Sequence, residues 1–299
     1  MTDFIAEVDG LNRTFGAKTA LENVSLKVPK GQVFGLVGEN GAGKTTLLKH
    51  ILGLLKPTSG TVTVFGLDPV AHPAEVLGRI GFLSEDRDLP MWMRIDQLMS
   101  YTEGFFPGWD ASYAAELVDT FELNVSQRMK SLSRGQLARV GLLIAIAHRP
   151  DFLVLDEPSS GLDPVVRRDI LSAIIRTVAD EGRTVLFSSH LLDEVQRVSD
   201  HVGMLHNGKL LICDRLENVL QQHSRLTIRL PEDAQRPPAI PGAISCNGAG
   251  AEWSVVANGQ VDELESWVAT ANAEIVDRGT PSLDEIFVAR VGQSALRDS

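Results

Sequence analysis

The sequence predicts an α/β fold with a parallel-sheet core, an N-terminal antiparallel β subdomain, an inserted helical subdomain and a small C-terminal α+β domain. Apolar strands alternate with helical segments after Asp151, which is typical of a parallel sheet covered on both faces. Alternating apolar and polar residues at 4–8 and 21–28 indicate half-buried antiparallel strands. From Asp86 to Arg149 the apolar spacing is close to 3.6 residues, so this block is predicted to be a helical insertion.

The remaining elements of the first domain follow in order, after a turn predicted at residues 12–16. The predicted strands are residues 32–37, 61–65, 79–83, 152–155, 184–188 and 201–205. The predicted helices are residues 73–77, 94–101, 110–121, 133–147, 165–179 and 191–198. These patterns predict one domain over residues 1–220, with its helical subdomain at about 86–150.

A second, smaller domain is predicted at residues 221–299. Prolines and a glycine punctuate residues 231–242, which indicates a loop-rich boundary region. Its predicted strands are residues 226–230, 243–246, 253–256 and 274–276, and its predicted helices are 261–271 and 282–289. Strands and helices mixed in this way predict a small α+β unit.

Composition and charge exclude several classes of protein. The chain has 299 residues, of which 43% are hydrophobic, and its longest apolar runs are far below the roughly 20 residues that cross a bilayer. The N-terminus shows no signal-peptide pattern, and Cys213 and Cys246 are too few for a disulfide framework, so a cytosolic location is expected. The net charge of −11 argues against general affinity for nucleic acid, and no nucleic-acid partner is expected.

The strongest motif is the glycine-rich segment at residues 38–45, with the sequence Gly-Glu-Asn-Gly-Ala-Gly-Lys-Thr. It lies between an apolar strand and an amphipathic helix, which is the setting of a phosphate-binding loop in a P-loop NTPase core. Glycines allow backbone N–H groups to point at phosphate oxygens, Lys44 adds a positive charge, and the Thr45 hydroxyl can bind Mg²⁺. The segment therefore predicts a nucleotide site.

Two carboxylates follow the apolar strand at residues 152–155. Asp156 is placed to hold Mg²⁺, and Glu157 to activate a water beside a γ-phosphate. An apolar run ending in acids is also a common strand-to-loop transition, so the pair alone is weak evidence for a metal site. Together with the upstream glycine-rich loop it becomes strong evidence. His190 lies just after another core strand, at the sheet edge where nucleotides bind in such folds.

The order of these motifs resembles that of the ATP-binding-cassette (ABC) ATPases over roughly residues 4–217. The segment at 38–45 corresponds to Walker A and residues 132–136 to the signature, while residues 152–156 match Walker B and 160–163 the D-loop. The resemblance implies that Glu157 is the general base, that His190 and Lys44 act with it, and that the fold is the P-loop NTPase core. It also implies a set of residues that bind ATP: Phe15, Gly38, Asn40, Gly41, Gly43, Lys44, Thr45, Thr46, Ser133, Gly135 and Gln136.

The chain departs from the family pattern at two positions. Arg134 replaces the first glycine of the usual Leu-Ser-Gly-Gly-Gln signature. Glu85 and Asp86 stand where the family usually has the glutamine of the Gln-loop. The resemblance implies Mg²⁺ ligation by Thr45, Asp156 and, as a hypothesis, Glu85 in place of that glutamine.

The resemblance implies partners as well as an activity. Ser133 and Gly135 are expected to reach the γ-phosphate of an opposite subunit, so a homo- or heterodimer closing over ATP is implied. A single Walker A motif and about 50 residues between Glu85 and Gly135 argue against tandem-cassette and coiled-coil members of the family. The expected role is the ATPase subunit of a transporter with a separate membrane permease, located on the cytoplasmic face of the membrane. The alternative is a regulatory ATP switch without transport.

Three segments bear on what the ATPase would drive. Residues 105–110 resemble a segment of bacterial exporter ATPases of the group that includes cell-envelope-stress and acetoin-locus transporters. Residues 280–287 resemble the C-terminal helix of multidrug and antibiotic exporter ATPases, and both resemblances imply export. Residues 89–93, Leu-Pro-Met-Trp-Met, place apolar side chains in a loop where a permease could dock. The alternative is that Trp92 packs inside the helical block.

Overall fold

The computed structural model describes residues 3–86, 88–179, 182–231, 240–259 and 261–297. The chain divides into two compact units, Met1–Cys213 and Asp214–Ser299. The division lies before the boundary predicted at Leu220, because the helix at Leu216–Gln222 contacts a strand of the second unit. This helix and the preceding strand at Lys209–Arg215 were not predicted from the sequence.

Three antiparallel strands form the N-terminal sheet, in the order β2-β1-β4. They are β1 (Phe4–Phe15), β2 (Lys18–Pro29) and β4 (Ser59–Val64). The turn predicted at residues 12–16 is wrong, because β1 continues to Phe15 and pairs with β2 as far as Lys18. Several register shifts let β1 bend along its length, and this carries Phe15 away from the sheet core to an exposed end.

Six strands form the central sheet, in the order β5-β6-β7-β3-β8-β9. They are β3 (Val33–Val37), β5 (Ile80–Leu83), β6 (Phe152–Leu155), β7 (Thr184–Ser189), β8 (His201–His206) and β9 (Lys209–Arg215). Strands β5 to β8 and β3 are parallel in their pairings, as the alternation of strands and helices predicted. Asn207 and Gly208, both at positive φ, form the two-residue turn between β8 and β9, as expected for a tight hairpin.

Helices cover the central sheet or form the insertion. They are α1 (Lys44–Ile51), α2 (Pro73–Leu77), α3 (Ile95–Glu103), α4 (Ala111–Thr120), a short 3-10 helix (Met129–Ser131), α5 (Arg134–Ile146), α6 (Pro164–Ala179) and α7 (Leu192–Val198). Leu47, Leu48 and Ile51 of α1 belong to one buried core that includes side chains from both sheets. This packing fixes α1, and with it the glycine-rich loop at its start.

The second unit has its own sheet, in the order β11-β12-β10-β13. Its elements are α8 (Leu216–Gln222), β10 (His223–Arg229), β11 (Ala243–Ala249), β12 (Glu252–Asn258), α9 (Val261–Thr270), β13 (Glu274–Gly279) and α10 (Leu283–Arg297). The strands are antiparallel, and their inner face packs on Leu264 and Val268 of α9. The unit is therefore α+β with a separate hydrophobic core.

Candidate functional site

The glycine-rich loop connects the buried strand β3 to helix α1, and it is shaped by close backbone contacts. A side chain at Gly38 would place its Cβ 2.2 Å from the Leu205 carbonyl oxygen. Gly43 has φ +111°, and a Cβ there would lie 2.7 Å from the carbonyl oxygen of Ala20. Both positions accept glycine alone, because a β-carbon would collide with backbone that cannot move aside.

Lys44 is folded into this loop and is almost fully buried. Its Nζ donates to the carbonyl oxygens of Gly38 at 2.6 Å and Glu39 at 3.2 Å. The same ammonium lies 3.0 Å from Oε1 of Glu157, which is equally buried. The loop and the strand end that carries Glu157 are thus joined by an ion pair in a site of low solvent access.

A cleft with a volume of ≈ 390 Å³ opens over the loop. Most of the predicted nucleotide residues meet here, together with Glu85 and Glu157. The lining residues are Phe15, Lys18, Ala20, Glu39, Asn40, Gly41, Gly43, Lys44, Thr45, Thr46, Glu85 and Glu157. The volume and mixed lining suit a ligand with an apolar ring at one end and phosphates at the other.

Phe15 lies at the exposed end of β1 and lines the cleft. Its side chain is 45% exposed, an unusual state for a phenylalanine. The guanidinium of Arg13 stacks 4.4 Å from the ring centroid, and it is held there by a hydrogen bond from Nη1 to the Lys56 carbonyl oxygen. An exposed and supported aromatic ring of this kind suits stacking with a planar base.

The carboxylates after β6 are held from the neighbouring strand β7. The hydroxyl of Ser188 donates to Oδ1 of Asp156 at 2.6 Å and accepts from the backbone N–H of Glu157 at 2.9 Å. Glu157 has φ +46°, a left-handed conformation that is rare for residues other than glycine. The chain turns sharply there, directly after the strand, with its side chain in the cleft lining.

His190 follows β7 and contacts Glu157 directly. Its Nδ1 lies 2.7 Å from Oε2 of Glu157, and its backbone N–H donates to the same oxygen at 3.3 Å. Glu157 is therefore placed between Lys44 on one oxygen and His190 on the other. Strands β6, β7 and β3 are adjacent in the sheet, so their carboxyl ends bring the three residues together.

Glu85 follows β5 at the same edge of the sheet and lines the cleft. Burial raises the pKa of its carboxyl, and the nearby carboxylates of Asp156, Glu157 and Asp86 raise that pKa further, while Lys44 opposes them. Negative charge therefore accumulates at this edge of the sheet.

The signature residues lie elsewhere, at the start of α5, and they do not line the cleft of their own chain. The Ser133 hydroxyl accepts from the Gln136 backbone N–H at 3.2 Å, and the Gln136 side chain accepts from the Ser133 N–H at 2.9 Å. This is a complete capping box. Gly135 packs against α6, where an added Cβ would lie 2.8 Å from Val166.

Two residues of the site, Ser188 and Lys18, were not predicted from the sequence. Ser188 lies in an otherwise apolar strand, and its polarity at a fully buried position was the available signal. Lys18 lines the cleft beside Phe15 because the β1–β2 turn is shorter than predicted. The arginines around α5 form ion pairs, Arg139 with Asp169 and Arg149 with Asp110.

The donor set fits a metal ion that arrives with a ligand better than one held by the protein alone. Among the described residues, no cluster of three or more His, Cys, Asp or Glu side chains is arranged to hold a metal. Thr45 and Asp156 together offer a hydroxyl and a carboxylate, so phosphates and water would have to complete an octahedral Mg²⁺ shell. Within the described residues, no helix is long and apolar enough to span a membrane.

The chain is similar to known proteins along most of its length. The family model described as ABC transporter matches residues 21–160. The ABC transporter ATP-binding protein YtrB of Bacillus subtilis is 28% identical over 96% of this chain and 98% of its own length. The bacitracin transport ATP-binding protein BcrA of Enterococcus faecalis is 31% identical over 75% of this chain and 72% of its own.

A solved structure described as the ATP binding subunit of an ABC transporter has the same fold. It is 27% identical, with a TM-score of 0.67 over 73% of this chain and 92% of that chain. The shared region is shorter than the present chain, so this structure supports the P-loop NTPase core and leaves about a quarter of the chain unmatched.

Proposed function

Because the chain belongs to the family of ABC transporter ATP-binding proteins and is an ABC ATPase, we propose that it drives an exporter through a separate membrane permease. The proposal assigns the ATPase cassette to residues 1–220, with a helical subdomain at about 86–150, and an additional α+β domain to residues 221–299. The observation that carries the ATPase part of the proposal is the position of Glu157 in the cleft lining. Its carboxylate lies 3.0 Å from Lys44 and 2.7 Å from His190.

ATP binds in this proposal with its base on Phe15 and its phosphates over the loop. The exposed ring of Phe15 and the backbone N–H groups of Gly41 and Gly43 lie at the cleft that would hold both ends of the nucleotide. The N-terminus of α1 adds partial positive charge on the phosphate side. Asn40 and Thr46 line the same cleft and complete the contacts.

Mg²⁺ neutralises developing phosphate charge when it is bound with the nucleotide. Thr45 and Asp156 are the proposed ligands, and the Ser188 hydrogen bond orients the Asp156 carboxylate. Glu85 is the proposed third contact, directly or through water. Burial, and then the neighbouring carboxylates, raise the pKa of Glu85, and a bound cation would favour its ionised form.

Glu157 deprotonates the attacking water in this proposal. Its Oε1 is engaged by Lys44 in the structure, so the carboxylate becomes available as the γ-phosphate attracts the lysine. His190 keeps Oε2 in place, and it is the proposed contact of the γ-phosphate next to Glu157. The buried surroundings strengthen each of these charge interactions, because little water screens them.

A second subunit completes the site by presenting its own signature residues. Ser133, Gly135 and Gln136 lie outside the cleft of their own chain, at a helix start that can receive an anion. The proposed dimer therefore encloses each ATP between the loop of one subunit and the signature of the other. Homodimer and heterodimer both satisfy this geometry.

The permease is proposed to dock on the helical subdomain. Trp92 is 67% exposed, so it does not pack inside the helical block, and Met91 beside it is exposed too. Tyr101 and Phe105 add two more exposed aromatic side chains that contact each other at 5.0 Å between centroids. Exposed apolar groups in this number favour a protein partner, and the bacitracin-transport relative supports export.

The test is Glu157→Gln, which keeps the size of the side chain and removes the base. We expect steady-state ATP hydrolysis to fall by roughly 100-fold or more, with ATP binding retained and a stable ATP-bound dimer visible by size-exclusion chromatography. Glu116→Gln, on the exposed face of α4, is the matched control and should hydrolyse ATP at the parental rate. Parental hydrolysis by Glu157→Gln would overturn the assignment of the base.

A further inference from the structure

Glu194 is a buried carboxylate that the proposed reaction does not use. It lies on α7, and only 1% of its surface is exposed. Its neighbours Leu192 and Val195 are also buried and apolar, so this helix packs its inner face on the core. Glutamate is rarely buried to this extent unless its charge is paired.

Three side chains from three different elements converge on this carboxylate. Its Oε2 accepts from the Ser159 hydroxyl at 2.6 Å and from the Ser189 hydroxyl at 3.3 Å. Its Oε1 lies 3.1 Å from Nε of Arg167, which belongs to α6. Ser159 is in the loop after β6 and Ser189 is the last residue of β7, so Glu194 connects both loops to α6 and α7.

The two serines are neighbours of the proposed catalytic pair. Ser159 follows Glu157 by two residues, and Ser189 directly precedes His190. The Ser189 hydroxyl also accepts from the Leu191 backbone N–H at 3.0 Å, which fixes the chain on the far side of His190. Glu194 therefore holds the backbone next to Glu157 and the backbone on either side of His190.

Burial of the Glu194 carboxylate costs free energy, and a contribution to stability does not explain why a charged group stands there. Burial raises the pKa of the Glu194 carboxyl, while Ser159, Arg167 and Ser189 oppose that shift, and the exposed Asp193 adds to it. Apolar side chains of similar size commonly replace such buried ionic groups without loss of stability. A retained buried carboxylate with partners on both active-site loops points to a role in setting the geometry of those loops.

We propose that Glu194 is a positioning residue for ATP hydrolysis, which sets the distance between Glu157 and His190 through Ser159 and Ser189. The inference rests on the proposed function, because it assumes that Glu157 and His190 act on the γ-phosphate. Glu194 does not line the cleft, so it acts through these two loops and not by contact with the nucleotide.

The main test is Glu194→Gln, which is close to isosteric. The amide is neutral and its nitrogen cannot accept a hydrogen bond, so the ion pair with Arg167 is lost, and an amide nitrogen at the Oε2 position would also leave both serine hydroxyls without their acceptor. We expect kcat for ATP hydrolysis to fall roughly 10- to 100-fold, because small displacements of catalytic groups have effects of this size. KM for ATP should change less than about 2-fold, since Phe15 and the glycine-rich loop are untouched. Asp193→Asn is the matched control on the exposed face of the same helix, and it should leave both constants unchanged.

A double-mutant cycle separates positioning from a general loss of stability. Ser159→Ala removes the hydrogen bond on the Glu157 side, and it should lower kcat at constant KM. Combined with Glu194→Gln, it should cost much less than the product of the two single effects, because both changes break one contact. If Glu194→Gln does not fold, Ser159→Ala carries the test by itself through the same split between kcat and KM.

Outcomes that overturn the inference are distinct from failure of the proposed function. Parental kcat in Glu194→Gln would reject the positioning role. The role would also be rejected if the Asp193→Asn control showed the same changes in kcat and in melting temperature as Glu194→Gln. Failure of the proposed function would appear earlier, as a Glu157→Gln protein that still hydrolyses ATP at the parental rate. If Glu157→Gln abolished ATP hydrolysis and Glu194→Gln left it at the parental rate, the proposed function would stand and the positioning role of Glu194 would be rejected.

Discussion

Lys44 and Glu157, two charged residues of the cleft, contact each other in a way that bound ATP would change. Lys44 donates to two carbonyl oxygens of its own loop and pairs with Glu157, so the proposed general base and the proposed phosphate-binding lysine neutralise each other. A triphosphate competes for the lysine and leaves His190 as the neighbour of Glu157. The proposed site is therefore arranged to become active only when nucleotide enters.

The first prediction concerns Glu85 and pH. Because its pKa is raised in the folded protein, the unfolded chain ionises first as pH rises above about 4.5. The contribution of Glu85 to stability is thus lost as pH rises from the unfolded pKa through the folded one. Glu85→Gln should therefore be more stable than the parent at pH 7, with the difference disappearing near about pH 4.

Urea unfolding at both pH values measures this effect. Glu103→Gln, an exposed glutamate of α3, controls for simple removal of a negative charge. A gain for Glu85→Gln of the same size at both pH values would contradict the prediction, because it would show that the gain does not depend on ionisation of Glu85.

At the level of elements, the site depends on the order of strands in the central sheet. The loop after β3, the carboxylates after β6 and His190 after β7 meet because β6, β7 and β3 are neighbours. Helix α5 is placed by its contact with α6, where Gly135 faces Val166 without room for a side chain. Because α5 also packs on β5, α3 and α4, the contact at Gly135 fixes only how closely the start of α5 approaches α6.

The second prediction tests that contact. Gly135→Ala should lower the free energy of unfolding by about 1–3 kcal/mol, because the new methyl group overpacks the interface. Adding Val166→Ala should recover part of the loss, since it removes the side chain that the methyl group meets. Chemical denaturation of the two single variants and the double variant gives the coupling, and strictly additive losses would argue against steric conflict.

At the level of the whole molecule, two units carry two separate hydrophobic cores. The first core joins α1 to both sheets, and the second lies between α9 and the antiparallel sheet of the C-terminal unit. The cleft is lined by residues of the first unit alone. Changes inside the second core should therefore affect stability without affecting nucleotide affinity.

The third prediction follows from this division. Ile228→Ala, in the fully buried centre of the second core, should cost about 2–5 kcal/mol in the unfolding of that unit. The Kd for ATP, measured with a fluorescent analogue, should stay unchanged. Leu36→Ala, in β3 directly before the glycine-rich loop, is the matched control, and it should destabilise the first unit and also weaken ATP binding. Weaker ATP binding in Ile228→Ala would show that the units are energetically coupled.

Local patterns in the sequence were enough to predict the α/β class and the positions of the core strands along the chain. Each depends on short-range physics, such as the burial of apolar runs and the freedom of Gly41 and Gly43 at positive φ. The capping box of Ser133 and Gln136 is local in the same way, because it involves residues only three apart. The missed elements, β9 and α8, have partly exposed residues and no clear period.

The sequence by itself determined which chemical groups are present and in what order: a phosphate loop, a pair of acids and a histidine. Only the tertiary structure decided which of them touch, because strand order in a sheet depends on packing between residues far apart in the chain. It placed Glu157 between Lys44 and His190, and it brought Ser188 and the buried Glu194 to the same loops. These contacts span up to 113 residues of sequence, from Lys44 to Glu157, and no local pattern encodes them.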